Sequence, residues 1–202
     1  MILVGSVSVT NGLAELERRV RTLFSTKASS EYIDAIVRRK NQDSVLESLS
    51  ALSLLASLLE KAGADSRTLS LSRDEGGRPF FMGSALDFSI SHSRGTVAAA
   101  LSDSGRVGID IEAAEIDEKK AMRIFRRYFE GDVEPPSPAE FLRLWTEKEA
   151  VAKLLGIPLA EVLSKETPAH ITLSKFEIAG HPCTLAHFGE QEVRILPHGR
   201  ST

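Results

Sequence analysis

The chain has 202 residues, 42% of them hydrophobic and 26% charged, and a net charge of −3. That is enough chain to bury a sizeable core in one large domain or two small ones, and the slight acidity excludes wholesale attraction to nucleic acid. The single cysteine, Cys183, excludes an internal disulfide, argues against a zinc site and suits a reducing compartment.

Residues 1–9 are apolar but short, and they lack a basic leader, so they read as a first strand and not as a signal peptide. Leu13, Leu16, Val20 and Leu23 share one side of a helix over residues 13–24. Residues 31–62 read as helical almost throughout, because leucines recur three and four apart from Leu46 to Leu59. Gly63 is a plausible stop. The Leu46–Leu59 stretch is interrupted by serines and Glu47 and is too short to span a membrane. A cytoplasmic protein with no membrane partner is expected. Ser72 to Pro79 reads as a loop.

Asp87–Ser91, Thr96–Leu101 and Val107–Ile111 read as strands. The last two are expected to form a hairpin across Ser102-Asp103-Ser104-Gly105. Residues 118–129 form a helical pattern with Lys119, Lys120, Arg123, Arg126 and Arg127 on a basic face. Pro135-Pro136-Ser137-Pro138 breaks the chain, and a long helix follows from Pro138 to Leu155, ending near Gly156. Ser137 and Glu140 are spaced as a capping box. His170 to Leu196 reads as three short strands with turns near Gly180 and Gly189. The order strand, helices, antiparallel strands thus occurs twice. The fold class expected is α+β, with halves over 1–104 and 105–202.

Two segments of the second half carry the strongest chemical signal. In Gly108-Ile109-Asp110-Ile111-Glu112, strand alternation turns both carboxylates to one face and both isoleucines to the other. Paired carboxylates repel unless a cation lies between them, and an all-oxygen pair favours Mg²⁺. A solvated acidic face is the commoner meaning of that spacing. In Trp145-Thr146-Glu147-Lys148-Glu149-Ala150-Val151-Ala152-Lys153, Glu149 and Lys153 share a helix face, as do Trp145 and Glu149. Spacing alone does not choose Glu149 over Glu147, and an exposed ion pair is the commoner meaning of the Glu149–Lys153 spacing. Ser91-His92, at the end of its strand, and Arg78, in a Gly-Gly-Arg-Pro loop, suit phosphate binding or simple solvation.

Taken in order, Gly-Arg-Pro-x-Phe, Phe-Ser-Ile-Ser-His-Ser, Gly-Ile-Asp-Ile-Glu and Trp-Thr-x-Lys-Glu-Ala-x-x-Lys resemble the motifs of the 4′-phosphopantetheinyl transferases. The likeness is to the larger, monomeric type named for surfactin synthetase activation. It covers Arg78 to Gly156. The resemblance implies two similar α+β halves, a pseudo-dimer within one chain, with the active site between them. It implies transfer of the phosphopantetheine arm of coenzyme A to a serine of an apo carrier protein (acyl, polyketide or peptidyl), leaving adenosine 3′,5′-bisphosphate.

By motif, Asp110, Glu112 and Glu149 would hold Mg²⁺, or Mn²⁺ in its place. Glu149 would accept the serine proton, directly or through water, and Lys153 would steady the departing phosphate. Ser91, His92 and Arg78 would contact coenzyme A, with His92 near the 3′-phosphate. One departure stands out. Family members carry a base on the long first-half helix, whereas Ser44-Val45-Leu46-Glu47-Ser48-Leu49 has none, so Arg38, Arg39 and Lys40 are the candidate substitutes. Two other readings use the same residues: a Mg²⁺-dependent phosphohydrolase, and a non-catalytic module that binds coenzyme A or a carrier protein. The basic helix after the metal strand suits either solvation or docking of an acidic carrier.

Overall fold

The computed structural model describes residues 1–10, 12–129 and 136–200; Pro135, expected to help break the chain, lies outside them. The first strand is β1 (Ile2–Ser8), followed by α1 (Leu13–Leu23). The helix expected over 31–62 is two helices, α2 (Lys27–Val37) and α3 (Gln42–Lys61). The break follows from local chemistry. Asn41 accepts the backbone N–H of Ser44 and so starts a new helix as an N-cap. Two short strands, β2 (Ser70–Arg73) and β3 (Pro79–Met82), pair antiparallel, so only the middle of the expected Ser72–Pro79 loop is a turn.

The chain continues through β4 (Asp87–Ser93), β5 (Thr96–Ser102), β6 (Val107–Ile111), α4 (Glu118–Tyr128) and α5 (Pro138–Leu155). The capping box at Ser137 and Glu140 is present, and α5 ends at Gly156 in left-handed backbone, φ 69°. Then come β7 (Ile171–Ile178), β8 (His181–Phe188), β9 (Val193–Ile195) and β10 (Gly199–Arg200).

One sheet has the order β10-β1-β5-β4, with β9 also on β1, and a second has the order β6-β8-β7. Of the three strands expected in the tail, β9 therefore leaves its neighbours and pairs in parallel with β1. The hairpin expected between Thr96–Leu101 and Val107–Ile111 does not form. Both edges of β5 are already taken, by β1 and β4, so the chain crosses at residues 103–106 and β6 pairs with β8 instead.

Alternation decides the packing. Leu3, Val97, Ala99 and Leu101 turn one face of the first sheet to α3. Ile2, Val4, Ala98 and Ala100 turn the other face to Val107, Ile109, Ile111, Cys183 and Leu185 of the second sheet. The far side of the second sheet meets α5 through Ala186, Ala150, Val151 and Leu154. The layers therefore run helix, sheet, sheet, helix. Cys183 is a packing residue here, since burial pushes its thiol far above the ordinary range.

The sheets are stitched together where β4 meets the free edge of β6. Asp87, Ser89 and Ser91 all point to that edge and accept the N–H groups of Val107, Ile109 and Ile111 at 2.9, 3.0 and 3.4 Å. Arg78 donates to the Val107 carbonyl at 3.0 Å, and Lys153 donates to the Ile109 carbonyl at 3.2 Å. Side chains thus do for β6 what a neighbouring strand would otherwise do.

Each sheet also places a Gly–Ala pair under its long helix: Gly5 opposite Ala99 beneath α3, and Gly108 opposite Ala186 beneath α5. The two glycines differ in tolerance. A Cβ at Gly5 would meet flexible ends of Leu54 and Leu58 at 3.0 Å, whereas one at Gly108 would lie 2.0 Å from the Ala150 carbonyl oxygen and 2.5 Å from the Leu154 nitrogen. Backbone cannot move aside as a leucine tip can. Gly108→Ala is expected to cost about 3 kcal/mol and Gly5→Ala about 1 kcal/mol in denaturant unfolding. Equal costs would show that α5 slides freely over β6.

Candidate active site

The seam between β4 and β6 also builds the site. Ile109 and Ile111 sit in the core between the sheets, so Asp110 and Glu112 face the other way. Asp110 is only 6% exposed. Its Oδ1 receives the Ser91 hydroxyl at 2.7 Å and the Lys153 ammonium at 2.7 Å. Ser93 donates to Glu112 Oε1 at 2.5 Å, and the Ala114 N–H donates to the same oxygen at 2.8 Å. The row Ser89, Ser91, Ser93 therefore serves the β6 backbone first and the carboxylates next. Ser93 was not singled out in the sequence, although the alternation that contains Ser91 includes it.

Helix α5 resolves the choice that spacing left open. Glu147 pairs with Lys175 at 2.6 Å, and the buried Lys148 ammonium donates to the Lys165 carbonyl. Glu149 turns into the cavity with Trp145 and Lys153. Burial, then the nearby Asp110 charge, pushes the Glu149 carboxyl above the ordinary range. Burial raises Asp110 as well, and Glu112 adds to it, against the opposing pull of Lys153 and Ser91.

Two cavities meet at this helix. One, about 440 Å³, is lined by the acids Asp110, Glu112 and Glu149 and by His92, Arg39 and Arg73. The second, about 530 Å³, is mainly apolar, with Pro79, Phe88, Ile90, Ala152, Ile157 and Leu159. Glu149 and Lys153 line both.

The first-half basic groups come from places that the sequence pattern did not mark clearly. Arg39 was one of three candidates, and it enters the cavity with its guanidinium on Ser48 Oγ at 3.0 Å. Arg73 falls in the segment whose composition suggests a loop. It lies at the end of β2, stacked over the Tyr32 ring at 4.7 Å and donating to the Tyr32 hydroxyl at 3.2 Å. Reading β2 as a strand would have pointed to it. Arg78 lines the apolar cavity, but its guanidinium grips Asp87 at 2.8 and 2.7 Å and also donates to the Phe88 and Val107 carbonyls. His92 lies at the charged cavity with Nδ1 2.9 Å from Glu47 Oε2.

Among the described residues, no three His, Cys, Asp or Glu side chains stand close enough together to hold a metal ion. The chemistry of the donor set still suits one. The three acids offer oxygen only, and both Asp110 and Glu149 are raised by a neighbouring carboxylate, a repulsion that a divalent cation would relieve. Lys153 meets part of that need through Asp110.

The fold and this geometry can be set beside known proteins. Residues 106–192 match the model of the 4′-phosphopantetheinyl transferase superfamily. The chain is 33% identical over 114 residues to the 4′-phosphopantetheinyl transferase AcpT of Salmonella typhi, covering 52% of this chain and 59% of that protein. It is 35% identical over 108 residues to AcpT of Escherichia coli K12, covering 50% of this chain and 55% of that protein. The chain therefore spans a little over half the length of these curated relatives. The segment that matches the superfamily model, 106–192, is the one that carries Asp110, Glu112, Glu149 and Lys153.

Proposed function

We propose that this chain transfers the 4′-phosphopantetheine arm of coenzyme A to a serine of an apo acyl, polyketide or peptidyl carrier protein. The observation that carries the reading is that Glu149 and Lys153 stand at the junction of a charged cavity and an apolar one. Coenzyme A is polyanionic at its nucleotide end and uncharged along its arm. Its pyrophosphate is where that character changes, and it is the bond-breaking centre of the transfer. The similarity of residues 106–192 to the superfamily supports the same reading.

The residues fit the steps. The serine oxygen attacks the phosphorus that bears the arm, and the bond to the adenosine-bisphosphate side breaks. Glu149 takes the serine proton, directly or through water. A carboxylate raised by burial is the better proton acceptor. Lys153, held by Asp110 and the Ile109 carbonyl, offsets charge on the departing phosphate. Asp110, Glu112 and Glu149 would hold Mg²⁺ or Mn²⁺. Such an ion would neutralise and orient the pyrophosphate. Ser91 and His92 contact coenzyme A from β4. Arg78 holds the seam that the nucleotide lies against.

The halves 1–104 and 105–202 form the larger, single-chain type of transferase. Support comes from the shared strand order, with the first strand beside the third in β1-β5-β4 and in β6-β8-β7, and from the Gly–Ala pair under each long helix. The protein works in the cytoplasm as a monomer. Among the described residues no helix is long and apolar enough to cross a membrane. The carrier docks on α4, where Lys119, Met122, Arg123, Arg126 and Arg127 line a shallow groove while Ala121 and Phe125 are buried against Phe141.

The test is to incubate the protein with coenzyme A, Mg²⁺ and an apo carrier, and to weigh the carrier by mass spectrometry. A gain of one arm is expected. Consumption of coenzyme A without carrier would instead point to a phosphohydrolase, and binding without turnover to a non-catalytic module. Glu149→Gln is expected to cut transfer by at least about 100-fold while coenzyme A binding persists, the size typical of a lost general base. A Glu149→Gln enzyme of near-normal rate would remove Glu149 from the proton-transfer role. Reversing Arg123 and Arg127 to Glu should raise the carrier KM about tenfold and leave coenzyme A binding unchanged. Unaltered carrier kinetics would place the docking face elsewhere.

A further inference from the structure

The helix α3 brings an acid, Glu47, to the part of the fold where a base was sought, beside a cavity that must accept phosphates. An acid facing that cavity would oppose its purpose. Glu47 does not face it. Its Oε2 lies 2.9 Å from His92 Nδ1, and its Oε1 accepts the Gly95 N–H at 2.7 Å. Its side chain is 16% exposed, against 32% for His92. Both carboxylate oxygens are therefore spent on the β4–β5 hairpin, whose first strand carries Ser91, His92 and Ser93.

Two consequences follow for the imidazole. Its orientation is set, because Nδ1 is turned to Glu47 and Nε2 is the ring nitrogen left to the cavity. Its hydrogen-bonding character follows from where its protons sit. A neutral ring with its proton on Nδ1 presents Nε2 as an acceptor, which repels a phosphate oxygen. An imidazolium presents Nε2–H as a donor, and a carboxylate behind the ring compensates the charge. A ring protonated on both nitrogens can thus bridge Glu47 and a phosphate.

The cavity has one obvious place for the phosphate so bound. Of its four basic lining residues, Lys153 is committed to Asp110 at the junction, which leaves Arg39, Arg73 and His92. Arg39 and Arg73 are both held in place, by Ser48 and Tyr32. If coenzyme A sits with its pyrophosphate at Lys153, its remaining phosphate, the 3′-phosphate on the ribose, falls to this group.

We infer that Glu47 is a positioning residue that presents His92 Nε2–H to the 3′-phosphate, and that it thereby sets the preference for coenzyme A over 3′-dephospho-coenzyme A. The identity of the ligand rests on the transferase reading; the arrangement of Glu47, His92 and Gly95 does not.

The whole chain, without carrier protein, would be titrated calorimetrically with coenzyme A and with 3′-dephospho-coenzyme A. Glu47→Gln is expected to weaken coenzyme A about tenfold, the size of one charge-assisted hydrogen bond, and to leave the dephospho form within about twofold. His92→Gln, which keeps the Glu47 bond to Gly95, should show the same selective loss. Glu47→Gln added to His92→Gln should add nothing further. A purely structural role for Glu47 at the hairpin would weaken both nucleotides equally, and that result overturns the inference, as does undiminished coenzyme A binding. A wild type that binds both nucleotides equally overturns it too, even where transfer proceeds. A wild type that prefers coenzyme A yet modifies no carrier sinks the transferase reading and leaves the role of Glu47 standing.

Discussion

The free edge of β6 is the constraint on which the rest of this structure depends. A buried edge strand leaves N–H and C=O groups that cost free energy unless something answers them. Here the answer comes from side chains on β4, with Asp87, Ser89 and Ser91 taking three N–H groups, and from Arg78 and Lys153 on two carbonyls. The three bonds from β4 join two sheets whose strands never pair with each other. They also explain why a serine-rich strand sits in the interior: apolar side chains at those positions would leave the β6 edge unsatisfied.

The same row of side chains carries over into the site. Ser91 bonds the Ile111 backbone and the Asp110 carboxylate, and Lys153 bonds the Ile109 carbonyl and that same carboxylate. Structure and chemistry are thus served by shared groups, so the acids are fixed to about the precision of the β-sheet itself. The close contact of α5 with Gly108 extends this rigidity to Glu149 and Lys153, which sit one turn apart on the helix that Gly108 admits. Asp110 and Glu149 are each held near another carboxylate, and Lys153 eases the resulting electrostatic strain.

Much of this was legible in the residues. Period-two alternation correctly turned Ile109 and Ile111 inward and Asp110 and Glu112 away from them. The Ser137–Glu140 box and Gly156 bounded α5 within a residue or so. These signals are local, because they depend on backbone geometry over a few residues. Apart from the break that the Asn41 cap makes between α2 and α3, the errors lie where long-range pairing decides. The expected β5–β6 hairpin fails because β5 has no open edge. The tail splits because β9 finds β1 and not β7 or β8. No pattern near Arg73 revealed that β2 would carry it to the cavity, and nothing near Glu47 revealed its partner in His92, which lies far away along the chain.

By itself, then, the sequence determined the α+β class, the facing of each carboxylate within its element, and the ordered motifs that resemble a phosphopantetheinyl transferase. Only the tertiary structure decided that Glu149 and not Glu147 enters the cavity, that Arg78 grips Asp87, and that Arg39, Arg73 and His92 share a cavity with the acids. The physical reason is range. Strand and helix periods act over two to four residues, whereas the partners of a charged side chain are whatever the packing of distant elements leaves within about 3 Å of it.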